Sequence, residues 1–114
     1  MFNDKYNHSK PVFTFNADDL PYATLDEVVA ENGNKIMEVK GVFVNKKSKY
    51  GPRPVLITST IKINLPKHFL SDVESIIKDP EAVEAINAGH CGFEPNQYQD
   101  KNGVTRNSGN FIDI

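Results

Sequence analysis

The chain holds little that could cross-link, anchor or catalyse. Cys91 is its one cysteine, which excludes an internal disulfide and suits a reducing compartment. No apolar run approaches the roughly 18 residues of a membrane span, and "MFNDKYNHSKPVF" lacks the apolar core of a signal peptide. These absences predict a cytoplasmic protein with no membrane partner. His8, His68 and His90 are too widely spaced to share a metal ion. His90 adjoins Cys91, but neighbours on a strand point to opposite faces, so no Cys/His nucleophile is expected and Cys91 reads as a small core residue. The pairs Asp18–Asp19 and Glu81/Glu84 fall at a helix start and on an exposed helix face, where acids serve solvation and the helix dipole. "YGPRP" has neither the spacing nor the following helix of a phosphate cradle. No catalytic residue, metal or cofactor is expected, and the class least supported is an enzyme.

What is present is the patterning of one small α+β domain. At 114 residues the chain is long enough to bury a single core without staples. Residues 1–21 are polar apart from aromatics such as Phe13 and Phe15 and read as an arm, mobile or laid against a domain of residues 22–114. "TLDEVVAENG" predicts a short helix capped by Thr24, with Glu27 completing a capping box and Gly33 ending it. "KIMEVKGVFVNKK" predicts one long strand with a bulge or bend at Gly41. After the turn "SKYGPRP", the run "VLITSTIKINL" is β-rich, with a break near Thr58–Thr60 and with Lys62 and Asn64 alternating against Ile61, Ile63 and Leu65. "PKHFLSDVESIIKDPEAVEAINAG" has helical spacing, and Asp79 as cap with Pro80 at a first position divides it into two helices. "HCGFEPNQYQ" and "VTRNSGNFIDI" are strands around "DKNG", a hairpin turn in which Asn102-Gly103 favours positive φ. This order predicts a mostly β, OB-like five-stranded barrel with a helical insert between strands 3 and 4 and a short N-terminal helix. The alternative is an open antiparallel sheet with helices on one face.

Charge is segregated along this pattern. Residues 39–71 carry Lys40, Lys46, Lys47, Lys49, Arg53, Lys62 and Lys67 and no acid. Residues 1–38 hold seven acids against three bases and residues 72–100 seven against one, within a chain of net charge −2. Such a field can steer an anionic partner, although lysines at strand ends also keep a sheet edge soluble. Binding a single strand requires cations along a groove and aromatic faces for the bases. The first hairpin offers Lys46, Lys47, Lys49, Arg53 and Tyr50, the second strand run adds Lys62, and the last hairpin offers Tyr98, Lys101 and Arg106. In an OB barrel these two hairpins flank the ligand cleft. Phe43 and Phe111 lie in apolar runs and read as core, whereas Tyr50, in a polar turn, is the aromatic least suited to the core.

The segments "FVNKKSKYGPRPVLIT", "INLPKH", "AVEAINAGHCGF" and "NFIDI" resemble those of a group of small proteins carried by prophages, plasmids and conjugative elements of Gram-positive bacteria. The likeness runs from about Tyr22 to Ile114. Some members resemble OB-fold single-stranded DNA-binding proteins, so the resemblance implies a phage or mobile-element accessory protein of the bacterial cytoplasm. It supports Lys46, Lys47, Lys49 and Tyr50 as a shared turn, and Asn64, Leu65, Pro66 and His68 as a shared approach to the helix. His90, Glu94-Pro95 and Phe111 depart from the group's pattern, in which lysine is frequent at the first position and tryptophan at the last. The expected ligand is single-stranded DNA, with RNA as the other candidate. The alternative is a protein-interaction or inhibitor module that meets a host or replication protein through its acidic segments. Pairing of sheet edges would add homo-oligomerisation.

Overall fold

The computed structural model describes residues 13–46 and 51–114. The described chain runs β1 (Tyr22–Thr24), α1 (Leu25–Asn32), β2 (Met37–Glu38), β3 (Gly41–Asn45), β4 (Arg53–Ile57) and β5 (Lys62–Asn64). A 3-10 turn (Lys67–Phe69), α2 (Leu70–Lys78), α3 (Pro80–Asn87), β6 (Cys91–Gln99) and β7 (Thr105–Asp113) follow. The local signals act as the residue types dictate. Thr24 Oγ1 accepts the Glu27 amide at 3.1 Å while the Glu27 carboxylate accepts the Thr24 amide at 3.1 Å, closing the capping box of α1. Asp79 Oδ1 accepts the Glu81 amide at 3.0 Å and starts α3 behind Pro80. Thr58 Oγ1 accepts the amides of Thr60 and Ile61, making the bend that separates β4 from β5.

The strands form an α+β fold of two open sheets. One has the order β1-β5-β4-β3 and the other β2-β6-β7. β3-β4, β4-β5, β2-β6 and β6-β7 are antiparallel, while β1 lies parallel to β5, with Tyr22 opposite Lys62. The long strand expected over residues 35–47 is divided, and the division joins the sheets. The Val39 amide donates to the Cys91 carbonyl at 2.9 Å, whereas the next amide, Lys40, donates to the Ile57 carbonyl at 2.8 Å. The chain thus changes partners between two consecutive residues, with Val39 fully buried at the crossing. Gly41 follows at once. A Cβ there would lie 3.1 Å from the Phe13 ring, a tight contact that glycine avoids where Phe13 lies across the strand. Residues 13–21 pack on the domain, through buried Phe13, the Thr14 amide donating to Asn87 Oδ1 at 3.0 Å and the Lys62 amide donating to the Pro21 carbonyl at 2.8 Å.

Two expectations are revised. The described strands do not close into a barrel, because no ladder joins β5 to β7 and β1 occupies the free edge of β5. Lys62 does not alternate outward: β1 covers it to 9% exposure, with its Nζ 4.5 Å from the centroid of the Tyr22 ring. The helical insert does fall where expected, between β5 and β6. No helix among the described residues is long and apolar enough to cross a membrane.

The core draws on every layer, with Val42, Leu56 and Ile63 from one sheet, Leu65, Phe69, Val73 and Ile86 from the insert, Leu25 and Val28 from α1, and Phe93 from the other sheet. Phe69, Phe93 and Phe111 form an edge-on triad with centroids 5.3–6.2 Å apart. Phe93 reaches diagonally over Gly109, where a Cβ would come within 2.5 Å of its ring and 2.7 Å of the Glu94 carbonyl. Gly109→Ala must therefore displace a fully buried phenylalanine or the strand itself. A loss of about 1–3 kcal/mol is expected, read as a lower urea midpoint at unchanged slope. A midpoint equal to that of the unsubstituted chain would refute the close packing of Phe93 on this glycine.

Candidate functional site

A cleft of about 420 Å³ opens where β5 and β7 fail to pair. Thr24 at the end of β1, Leu25 and Asp26 at the start of α1 and Asn64 at the end of β5, beside Thr24 in the ladder, form one wall, continued by Pro66 and by Arg53 at the start of β4. Tyr98, Thr105, Arg106 and Asn107 of the β6–β7 hairpin form the other. Three of the residues expected to bind an anionic strand, Arg53, Tyr98 and Arg106, are thus brought together from hairpins 45 or more residues apart in sequence. Tyr98 stands opposite Arg106 in the β6–β7 ladder and keeps 46% of its surface exposed.

A chain of amides sets the position of the hairpin against α1. Asn34 and Gln97 bond reciprocally at 2.9 and 2.8 Å, Gln97 Nε2 also donates to Asn107 Oδ1 at 3.0 Å, and Asn107 Nδ2 donates to Asp26 Oδ1 at 2.7 Å. None of these four residues was singled out from the sequence, and no spacing marks them, since the contacts span up to 81 residues. On the other side of Tyr98, the His68 ring lies edge-on at 6.4 Å between centroids, and its Nε2 is 3.1 Å from Ser108 Oγ. His68 thereby buttresses the aromatic it neighbours.

The cations differ in what engages them. Arg106 Nε donates to Asp100 Oδ2 at 3.0 Å, which neutralises part of its charge at the hairpin tip. Arg53 has no such partner: its Nε is buried without a hydrogen bond, and no acid among the described residues lies within ion-pair reach of it. A buried donor left unmade costs about 1–3 kcal/mol. Lys46 and Lys101 are exposed at the ends of the two hairpins, outside the cleft lining. Lys62 is held within the sheet under Tyr22. Lys47, Lys49 and Tyr50 lie outside the described residues. Phe111 packs in the core triad as its apolar run implied, whereas Phe43, also expected in the core, is half-buried and lies outside the core cluster. Burial, then the nearby Asp113 carboxylate, push the Cys91 thiol up, away from nucleophilic thiolate chemistry.

Asp100 organises the hairpin turn. Its Oδ1 accepts the amides of Asn102 and Val104 at 2.9 and 3.0 Å while Oδ2 takes Arg106. The Val104 amide first, and then Arg106, hold its carboxyl below the usual aspartate range. A depressed folded pKa contributes stability that is present above the unfolded pKa and is lost as pH falls through the folded one. The amide signals of Asn102 and Val104 should therefore shift together in an acid NMR titration, with a midpoint below that of a free aspartate. Arg106→Gln should raise this midpoint only part of the way, because the Val104 bond remains; a return to the free value would assign the whole effect to the arginine.

No family model matches the chain, and comparison with the curated proteins and with the solved structures likewise gives no match.

Proposed function

We propose that the chain binds single-stranded nucleic acid, with DNA as the ligand, and that the cleft is where backbone and base meet the protein. Arg53 carries this reading. It is a cleft-lining cation with no acid among the described residues within ion-pair reach, placed beside a half-exposed tyrosine and a second arginine, and its guanidinium suits a phosphate oxygen. Sequence-tolerant binding of a single strand uses this pairing of guanidinium and aromatic face. The exposed Lys46 and Lys101 extend the cationic track along the two hairpins. Lys47, Lys49 and Tyr50 belong to the same proposed surface on the strength of the sequence.

We read the two open sheets as an OB-like barrel left open at one seam. A single stretch, residues 37–45, pairs with both β4 and β6, as a strongly bent first strand would, and the two hairpins flank the cleft. The likeness to small proteins of Gram-positive mobile elements supports an accessory role in replication or transfer, in the bacterial cytoplasm.

Fluorescence anisotropy with a labelled dT oligonucleotide tests this reading. Affinity should fall steeply between 50 and 200 mM salt, conditions chosen because counterion release dominates such binding. Arg53→Gln should weaken binding and reduce the salt slope by about one. Tyr98→Ala should cost about 1–3 kcal/mol with the slope retained. Absence of binding at the lower salt would remove the proposal.

The second reading is a protein-docking module. It draws on Asp72, Glu74, Glu81 and Glu84, all exposed on α2 and α3, since an acidic surface can oppose or imitate a phosphate backbone. A bacterial protein retained on the immobilised chain after nuclease treatment, and lost on reversing these four charges, would favour it. Retention that disappears with nuclease would return the interaction to nucleic acid.

A further inference from the structure

We infer that the cleft reads the Watson–Crick edge of one base and prefers guanine. The inference rests on the reading of the cleft as a single-strand site and adds a specificity to it. A groove that served phosphates alone would be lined by donors, yet one wall of this cleft carries a carboxylate, Asp26. Asp26 makes no ion pair with either arginine of the cleft. Asn107 Nδ2, at 2.7 Å, occupies part of Oδ1 and fixes the carboxylate in place. A carboxylate has about four acceptor positions, so most of its capacity is left.

On the same side, Asn64 stands opposite Thr24 in the β1–β5 ladder, and its carboxamide, which makes no hydrogen bond among the described residues, offers both a donor and an acceptor. Tyr98, on the hairpin wall, supplies the stacking face, and Arg53 and Arg106 supply the cations for the flanking backbone. An acceptor pair next to a donor has one complement among the four bases. Guanine presents two adjacent donors, N1–H and the 2-amino group, beside the O6 acceptor. Cytosine and adenine each present a single amino donor next to ring acceptors, which a carboxylate repels. Thymine flanks its one N–H with two carbonyl oxygens. Carboxylate recognition of amino donors on bases follows this logic and discriminates strongly against the wrong base.

The test is competition against a labelled dT tract at low salt, using dT oligonucleotides that carry one central dG, dC or deoxyinosine. A single substitution avoids four-stranded guanine structures, and inosine removes only the 2-amino donor. The dG competitor should bind about five- to a hundredfold more tightly than the dT tract, with inosine and cytosine between them. Asp26→Asn keeps an oxygen acceptor for Asn107 and should abolish the difference between dG and dT affinity, read as the ratio of the two. Equal affinity for dG and dT competitors, with dT binding intact, would overturn the inference and leave the single-strand reading standing. No binding of any oligonucleotide would overturn both. The inosine comparison decides the matter on the unsubstituted chain even where the variant fails to fold.

Discussion

The packing of Phe93 on Gly109 is the constraint on which the rest of this structure depends. Phe93 has no exposed surface, and its ring occupies the space where any other residue at 109 would place a Cβ. This contact lets Phe93 meet Phe69 of the helical insert and Phe111 of the neighbouring strand at once. One side chain therefore anchors the β6–β7 hairpin to the insert. Everything the hairpin displays further along, including Tyr98 and Arg106, is held at the distance which that anchor sets.

The second tie is polar and lies further along the hairpin, at the paired Gln97 and Asn107. The run from Asn34 through Gln97 and Asn107 to Asp26 bonds the hairpin to α1 without apolar burial. Linked side-chain amides polarise one another and are each worth most when all are satisfied. The capping box of Thr24 and Glu27 fixes the start of α1, so the same few residues stabilise a helix end and shape a cleft wall. Stability and the candidate site are here one arrangement.

Electrostatics then divide the cations into classes that composition does not reveal. Lys62 is spent on Tyr22, Lys40 on Glu38 and Phe15, and Arg106 partly on Asp100. Arg53 remains without an acid partner among the described residues. A segment with seven cations and no acids looks uniform in the sequence, yet its members range from buried and paired to exposed. Affinity for a polyanion depends on the cations left over, not on their number.

The sequence by itself determined the local elements, because their causes are local. Capping at Thr24 and Asp79, the helical break at Pro80, the split between β4 and β5, the insert between β5 and β6 and the Asn102-Gly103 turn all follow from backbone chemistry within a few residues. It also marked Arg53, Tyr98 and Arg106 as residues suited to an anionic strand. Only the tertiary structure decided that the three share a cleft and that β1 takes the edge of β5 and covers Lys62. It likewise decided that the strand near Gly41 passes from one sheet to the other. Those outcomes rest on contacts between residues distant in the chain, where pairing and burial choose among arrangements that local propensity leaves equal.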